Sequence, residues 1–205
     1  MPSWTGTSGT SRDSAARRPG LVKLARLERC AVPIVTTMRS ERVWHVDLLA
    51  DHPELIPAVG EMRQREWGRW ADPPESVDPS WWVDVTRRES GRTALPVTFV
   101  GISDDGVLAG AIGIGSVDPP DLQDRGPWVI GVIVAPELRG QGAGRAILGH
   151  TLRWAADHSY DPVWVATGPY AAGFYQSCGW ELERTYRGQR HDEVMILRCA
   201  TGAAS

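Results

Sequence analysis

The sequence predicts a mixed α/β domain built around one central sheet. Three observations predict it. From Glu41 onward, segments of strand period and helix period alternate in the order β-α-α-β-β-β-α-β-α-β-β. Two of the strands are joined by Asp104-Asp105-Gly106, a hairpin signal. An apolar run, "WVIGVIVA", stops at Pro136 and passes through a glycine-rich turn into a helix-like pattern. At 205 residues the chain can hold one such domain with a sizeable core, plus a tail.

Each element has a local cause. "RVWHVDLL" alternates apolar and polar residues as a half-buried strand does. "PELIPAVGEMRQREWGRW" places Leu55, Val59, Met62 and Trp67 or Trp70 at helical spacing. "ADPPESVDP" breaks the chain, and "SWWVDVTRRES" reads as a second helix. "PVTFVGISDDGVLAGAIGIGSVD" supplies the hairpin strands, with Gly113 and Gly115 marking a bulge. After the loop "DPPDLQDRGP" come the buried strand, the glycine turn and a helix, "GRAILGHTLRWAADHS", with Ala146, Ile147, Leu148, Leu152 and Ala155 on its apolar face. "PVWVAT" is a further buried strand. "PYAAGFYQSCGW" is a short helix stopped by Gly179. "ELERTYRG" and "DEVMILRCA" close the domain as a strand pair. No internal repeat is visible.

Residues 1–38 differ in kind. They are rich in Ser, Thr, Gly and Arg and have little to bury. They read as a disordered tail, or as sequence upstream of a start at Met38. A transit-peptide role is the lesser alternative, and the domain itself spans 39–200. This segment carries six basic residues against Asp13 and Glu28, so with a total charge of −3 the remainder is −7. An acidic domain argues against a nucleic-acid surface and mildly favours a cationic substrate. No apolar run reaches the ~18–20 residues of a membrane span, so no membrane partner is expected. Cys30, Cys178 and Cys199 form no C-x-x-C pair, and the five histidines lack metal spacing. Neither a disulfide framework nor a metal is expected, and a reducing cytoplasm fits.

The glycine turn carries the chemistry. Arg139-Gly140-Gln141-Gly142-Ala143-Gly144-Arg145 lies between a buried strand and a helix start. Small residues let a ligand approach the backbone, free N–H groups at the helix start attract anions, and the arginines add positive charge. A phosphate or pyrophosphate is the natural guest. A P-loop is excluded, because no lysine is present and Ala146 follows Arg145. A dinucleotide fingerprint fails on spacing. The pattern [RQ]-x-x-G-x-[GA] fits as Arg139, Gly142 and Gly144.

Together with the strand and helix beyond it, this turn carries a resemblance. "VIVAPELRGQGAGRAIL", then "VWVAT", then "PYAAGFYQSCGWEL" closely resembles the GCN5-related N-acetyltransferase (GNAT) superfamily. The approach "DLQDRGPWVIGVIV" also looks like a bacterial subgroup of it with largely unassigned substrates. The resemblance implies a mixed, mostly antiparallel sheet flanked by helices. It implies an N-acetyltransferase moving an acetyl group from acetyl-CoA, its cosubstrate, to a primary amine of a small molecule by direct attack. A protein N-terminal or lysine acetyltransferase, and a non-catalytic acyl-CoA-binding module, are the alternatives. The glycine turn would hold the coenzyme A pyrophosphate. Val132, Ile133 and Val134 would run beside the pantetheine arm, with the Val134 N–H on the thioester carbonyl, where it would stabilise the developing oxyanion. Many members carry an asparagine just before the helix bearing the tyrosine. The matching position is Gly168, with Thr167 as a partial substitute.

The resemblance makes Tyr175 the general acid toward the departing thiolate. Asp118 and Glu66 are the candidate bases for the amine proton, with a solvated or capping role as the plainer reading of each. A lone His191 is weaker, and Glu137 reads as a surface residue. Cys178, near the same helix face as Tyr175, reads as a small buried thiol rather than a nucleophile. Trp67, Trp70, Trp81 and Trp82 cluster where the family shapes its acceptor site, either as an aromatic wall for a cationic amine or as core. A homodimer through the terminal strands stays open.

Overall fold

The computed structural model describes residues 42–69, 74–116, 122, 124–188 and 192–203. The expected tail at 1–38 lies outside them, as do Trp70, Asp118 and His191. In chain order the elements are β1 (Trp44–Leu48), α1 (Ile56–Trp67), α2 (Pro79–Arg88), β2 (Val97–Ser103), β3 (Leu108–Gly115), β4 (Trp128–Val134), α3 (Ala143–Asp157), β5 (Val163–Thr167), α4 (Pro169–Ser177), β6 (Glu181–Arg187) and β7 (Glu193–Cys199). The strands make one sheet in the order β1-β2-β3-β4-β5-β7-β6. Every neighbouring pair is antiparallel except β4 and β5. This is the predicted order of elements on a mixed, mostly antiparallel sheet.

The sheet is covered on both faces, which is why β2 and β3 are apolar almost throughout. Val97, Phe99, Ile112 and Ile114 pack with Ile147, Leu148 and Ala155 of α3. Val100, Ala111 and Ile133 pack on the other side with Ile56 and Val59 of α1. The alternation of side chains along each strand sorts them between these two layers.

α1 is turned relative to its expected face. Ile56, Val59, Gly60 and Arg63 are its buried stripe, while Leu55, Met62 and Trp67 pack only partly against the core. The reason is α2: a Cβ on Gly60 would lie 2.8 Å from the Val83 Cα, so the helices approach closely along the glycine side. On α3 the buried residues are Ala143, Ile147, Leu148, Thr151 and Ala155, and Ala146 and Leu152 are only half-buried.

The bulge expected at Gly113 and Gly115 falls instead across from them, on β4. The β3–β4 register runs from Ala111↔Ile133 to Gly113↔Ile130, so two residues of β4 oppose one of β3. Gly131 takes the bulge with φ +57°. Gly113 and Gly115 serve a different purpose: a Cβ at either would come within 3.0 Å of the Ile130 side chain.

Candidate active site

The parallel neighbours β4 and β5 are joined at one register position only, Trp128↔Trp164, with Trp164 N–H donating to the Pro127 carbonyl at 2.9 Å. Large side chains close this base. Trp128 is fully buried, and the Arg125 guanidinium lies 4.8 Å from the Trp164 ring. Toward their C-terminal ends the strands part, and a cleft of about 940 Å³ opens between them. Val129 to Val134 line one wall, Val165 to Gly168 with Phe174 and Tyr175 the other, and the glycine turn the end.

The splay leaves backbone groups facing the cleft. Ala135 N–H donates to the Ala109 carbonyl at 2.8 Å. The two-residue alternation of an antiparallel ladder then points the N–H and C=O of Val134 away from β3. It also directs the groups of Ile133 into the ladder opposite Ala111. Of the predicted strand partners, Val132 and Val134 therefore offer polar backbone to the cleft, and Ile133 offers only apolar contact. The Val134 carbonyl accepts from Arg139 Nε at 3.0 Å, and its N–H is turned to the same side.

At the turn, Gly140 and Gly142 have φ +73° and +90°, conformations open to glycine at little cost. Gly142 is the residue before α3, and no side chain caps that helix. The first intrahelical bond is Ala146 N–H to the Gly142 carbonyl at 3.0 Å, so the N–H groups of Ala143, Gly144 and Arg145 have no acceptor within the helix. They form a cradle for an anion, reinforced by the positive end of the helix dipole. A Cβ on Gly140 would meet nothing within 4 Å, and one on Gly142 only the Trp44 indole at 3.9 Å. The space in front of the turn is open, and the residues present fit a phosphate.

The predicted turn residues divide by role. Gly140, Gly142, Ala143, Gly144, Arg139 and Arg145 line the cleft. Gln141 does not. Its amide donates to the Glu137 carbonyl at 2.9 Å, and its own carbonyl accepts from the Trp44 indole at 2.9 Å, so it braces the turn. Arg145 reaches the end of α4, donating to the Ser177 carbonyl at 3.0 Å and its hydroxyl at 3.2 Å. Arg139 pairs with Glu66 Oε2 at 3.0 Å. Glu66 does line the cleft, but as the partner of a turn arginine.

Tyr175 is 3% exposed on α4, edge-on to Phe174 and Trp180 at 5.2 and 5.3 Å. Both Tyr175 and Phe174 line the cleft. Gly168 precedes α4 with no side-chain cap, so the family's asparagine has no counterpart there. Cys178 is half-buried just beyond α4. A second cavity of about 310 Å³ adjoins, lined by Arg63, Trp67, Trp81, Trp82, Val85, Glu89 and Gly131. Gly131 and Trp67 border both cavities. Sequence reasoning misses the fully buried part of this wall, because Arg63 reads there as one more charged residue of a surface helix. Among the described residues no His/Cys/Asp/Glu cluster could hold a metal, and no helix is long and apolar enough to cross a membrane.

Comparison with known proteins agrees with this architecture. The chain is 29% identical to human N-acetyltransferase 8B over 130 residues, which is 62% of its own length. It spans only 55% of the length of that relative. A putative acetyltransferase of the GNAT family from Desulfovibrio desulfuricans superposes with a TM-score of 0.59 at 18% identity, covering 78% of this chain and 99% of that one. Spermidine N-acetyltransferase from Vibrio cholerae, in complex with CoA and spermine, superposes with a TM-score of 0.57 at 15% identity, covering 78% and 96%. At these identities the likeness to the solved structures is one of fold. The acetyltransferase (GNAT) family model matches residues 56–180, from the start of α1 past the end of α4. That span takes in the parted strands, the uncapped turn and the tyrosine helix, and the chain belongs to the acetyltransferase (GNAT) family.

Proposed function

We propose that residues 39–200 form an acetyl-CoA-dependent N-acetyltransferase acting on a primary amine of a small molecule. One observation carries the reading: a deep cleft between parted strands ends on a helix start with three unpaired N–H groups. Acetyl-CoA would supply an activated acetyl group. Ala143, Gly144 and Arg145 would hold its pyrophosphate, and the backbone of Val132 and Val134 its pantetheine arm.

In the transfer, the amine nitrogen bonds to the thioester carbon and the carbon–sulfur bond breaks. The Val134 N–H, turned into the cleft, would stabilise the charge that builds on the thioester oxygen. Tyr175 donates a proton to the sulfur as it leaves. We assign Glu66 to holding Arg139, and the amine's proton leaves through water in the open cleft. The acidic balance of the chain beyond its first 38 residues suits a cationic acceptor.

The test is calorimetric titration of the full chain with acetyl-CoA and desulfo-CoA, with NAD as comparison. Micromolar binding of the CoA ligands alone is expected. Gly142→Trp, which fills the cradle, should abolish it. Equal affinity in a folded Gly142→Trp protein, or no binding by the folded wild type, overturns the reading.

A further inference from the structure

The smaller cavity differs in its walls from the cleft it adjoins. Trp67 ends α1, Trp81 and Val85 lie four residues apart on one face of α2, and Trp82 stands beside them. Trp81 and Trp82 meet edge-to-face with ring centroids 5.0 Å apart, and Trp67 and Trp82 lie 5.9 Å apart, so the three indoles form one continuous aromatic corner. The Trp82 indole N–H donates to the Ser76 carbonyl at 2.8 Å, so that ring offers the cavity no free donor.

The two charged groups in the described lining, Arg63 and Glu89, cancel. Arg63 Nη1 donates to Glu89 Oε2 at 2.7 Å and to the Thr86 hydroxyl at 3.2 Å. The guanidinium is pressed against β4: a Cβ on Gly131 would lie 2.6 Å from Nη2 and 3.0 Å from Cζ. Its Nε and Nη2 are closed off, and the side chain is 2% exposed. Arg63 is therefore packed wall, out of reach of an anion. A cation would find only a carboxylate already shared with a guanidinium. What the cavity offers is aromatic and aliphatic surface around about 310 Å³, roughly twice the ~150 Å³ in which an apolar cavity holds benzene. Such surface gains from being covered by an apolar group. Gly131 and Trp67 belong to both cavities, so a ring seated in the smaller one needs only a short tether to carry an amine into the cleft.

We infer that the acceptor is a primary amine tethered to an uncharged aromatic ring, the ring seated against Trp67, Trp81, Trp82 and Val85. The inference deepens the acetyltransferase reading above and rests on it only for the fate of the amine. A polyamine brings a second ammonium where this cavity supplies no net charge to hold it.

The test is binding, independent of turnover. The full chain, with and without saturating desulfo-CoA, is titrated calorimetrically with phenethylamine, ethylamine and spermidine. Phenethylamine should bind roughly five- to fifty-fold more tightly than ethylamine, the range that covering one ring with apolar and aromatic surface supplies. Spermidine should bind no more tightly than ethylamine. Trp81→Ala, which opens one wall, should bring phenethylamine to within about three-fold of ethylamine. Val85→Trp, which fills the cavity from the same helix face, should do the same, and thermal melts show which variant is folded. Equal binding of phenethylamine and ethylamine by the wild type overturns the inference. So does tighter binding of spermidine, no binding of any probe by the folded wild type, or an undiminished preference in a folded variant. Failure of acetyl-CoA to bind sinks the acetyltransferase reading alone, because the amines are also measured without a CoA ligand.

Discussion

Trp44→Phe tests whether the glycine turn is preorganised from a distance. Trp44 lies on β1, 97 residues before Gln141, donates one indole N–H bond of 2.9 Å to the Gln141 carbonyl and packs against the cluster holding Ala143. Phenylalanine keeps an aromatic ring and removes the donor. Both partners are half-buried, so water can reach the freed carbonyl, and the loss is that of an ordinary neutral bond, about 1 kcal/mol. If the bond holds the turn in its binding conformation, that energy reappears as an approximately five-fold weaker affinity for acetyl-CoA. Maximal rate at saturating acetyl-CoA should not change, since Trp44 lines neither cavity. Calorimetry gives the dissociation constant, and a thermal melt checks that the fold survives. An unchanged dissociation constant refutes the reasoning, because the turn would then hold its shape without its brace.

Tyr175→Phe should lower kcat by roughly a hundred- to ten-thousand-fold with little change in acetyl-CoA affinity, the loss expected of a general acid. An unchanged rate where chemistry limits turnover would remove Tyr175 from the mechanism. Glu66→Gln should weaken acetyl-CoA binding about two- to five-fold by releasing Arg139, with kcat nearly constant; a collapse of kcat would instead make Glu66 the base. His150, packed 5.2 Å from the Phe99 ring, has its pKa pushed down by burial first and by Arg153 second, against the pull of Asp47. The unfolded chain therefore takes up a proton there before the folded one does. Stability should fall as pH drops from the ordinary histidine value near 6.5 toward the lower folded value, and His150→Asn should flatten that fall in pH-dependent melts.

Much of the fold is legible because it is written in local pattern. The strand–turn–helix unit at 128–155, the hairpin at Asp104-Asp105-Gly106 and the stop at Gly179 each arise from periods and turn residues within one short window. The candidate cleft is legible for the same reason: the glycine turn and Tyr175 lie 31 residues apart, counted from Gly144, and read as one unit. What escapes depends on partners far along the chain. Nothing near Gln141 announces Trp44, and nothing near Arg139 announces Glu66. Arg63 does leave a signal. It continues the stripe Ile56, Val59, Gly60 at helical spacing, and a charged residue at a position due for burial stands out. The glycine inside "WVIGVIV" points to the bulge more directly than Gly113 or Gly115, since it interrupts an otherwise unbroken β-branched strand.

The parting of β4 and β5 has a consequence for how safely the protein can be stored. A sheet normally exposes unpaired strands only at its rim, where stray strands add on and aggregation begins. Here two more such rims lie in the middle of the sheet, facing each other across the cleft. They are guarded. Arg139 occupies the Val134 carbonyl, Phe174 and Tyr175 crowd the opposite wall, and β5 is only five residues long. Removing the Arg139 side chain would expose the longer rim. Such a protein should gain turbidity faster on warming than its melting temperature alone would explain, and a ligand filling the cleft should suppress the difference.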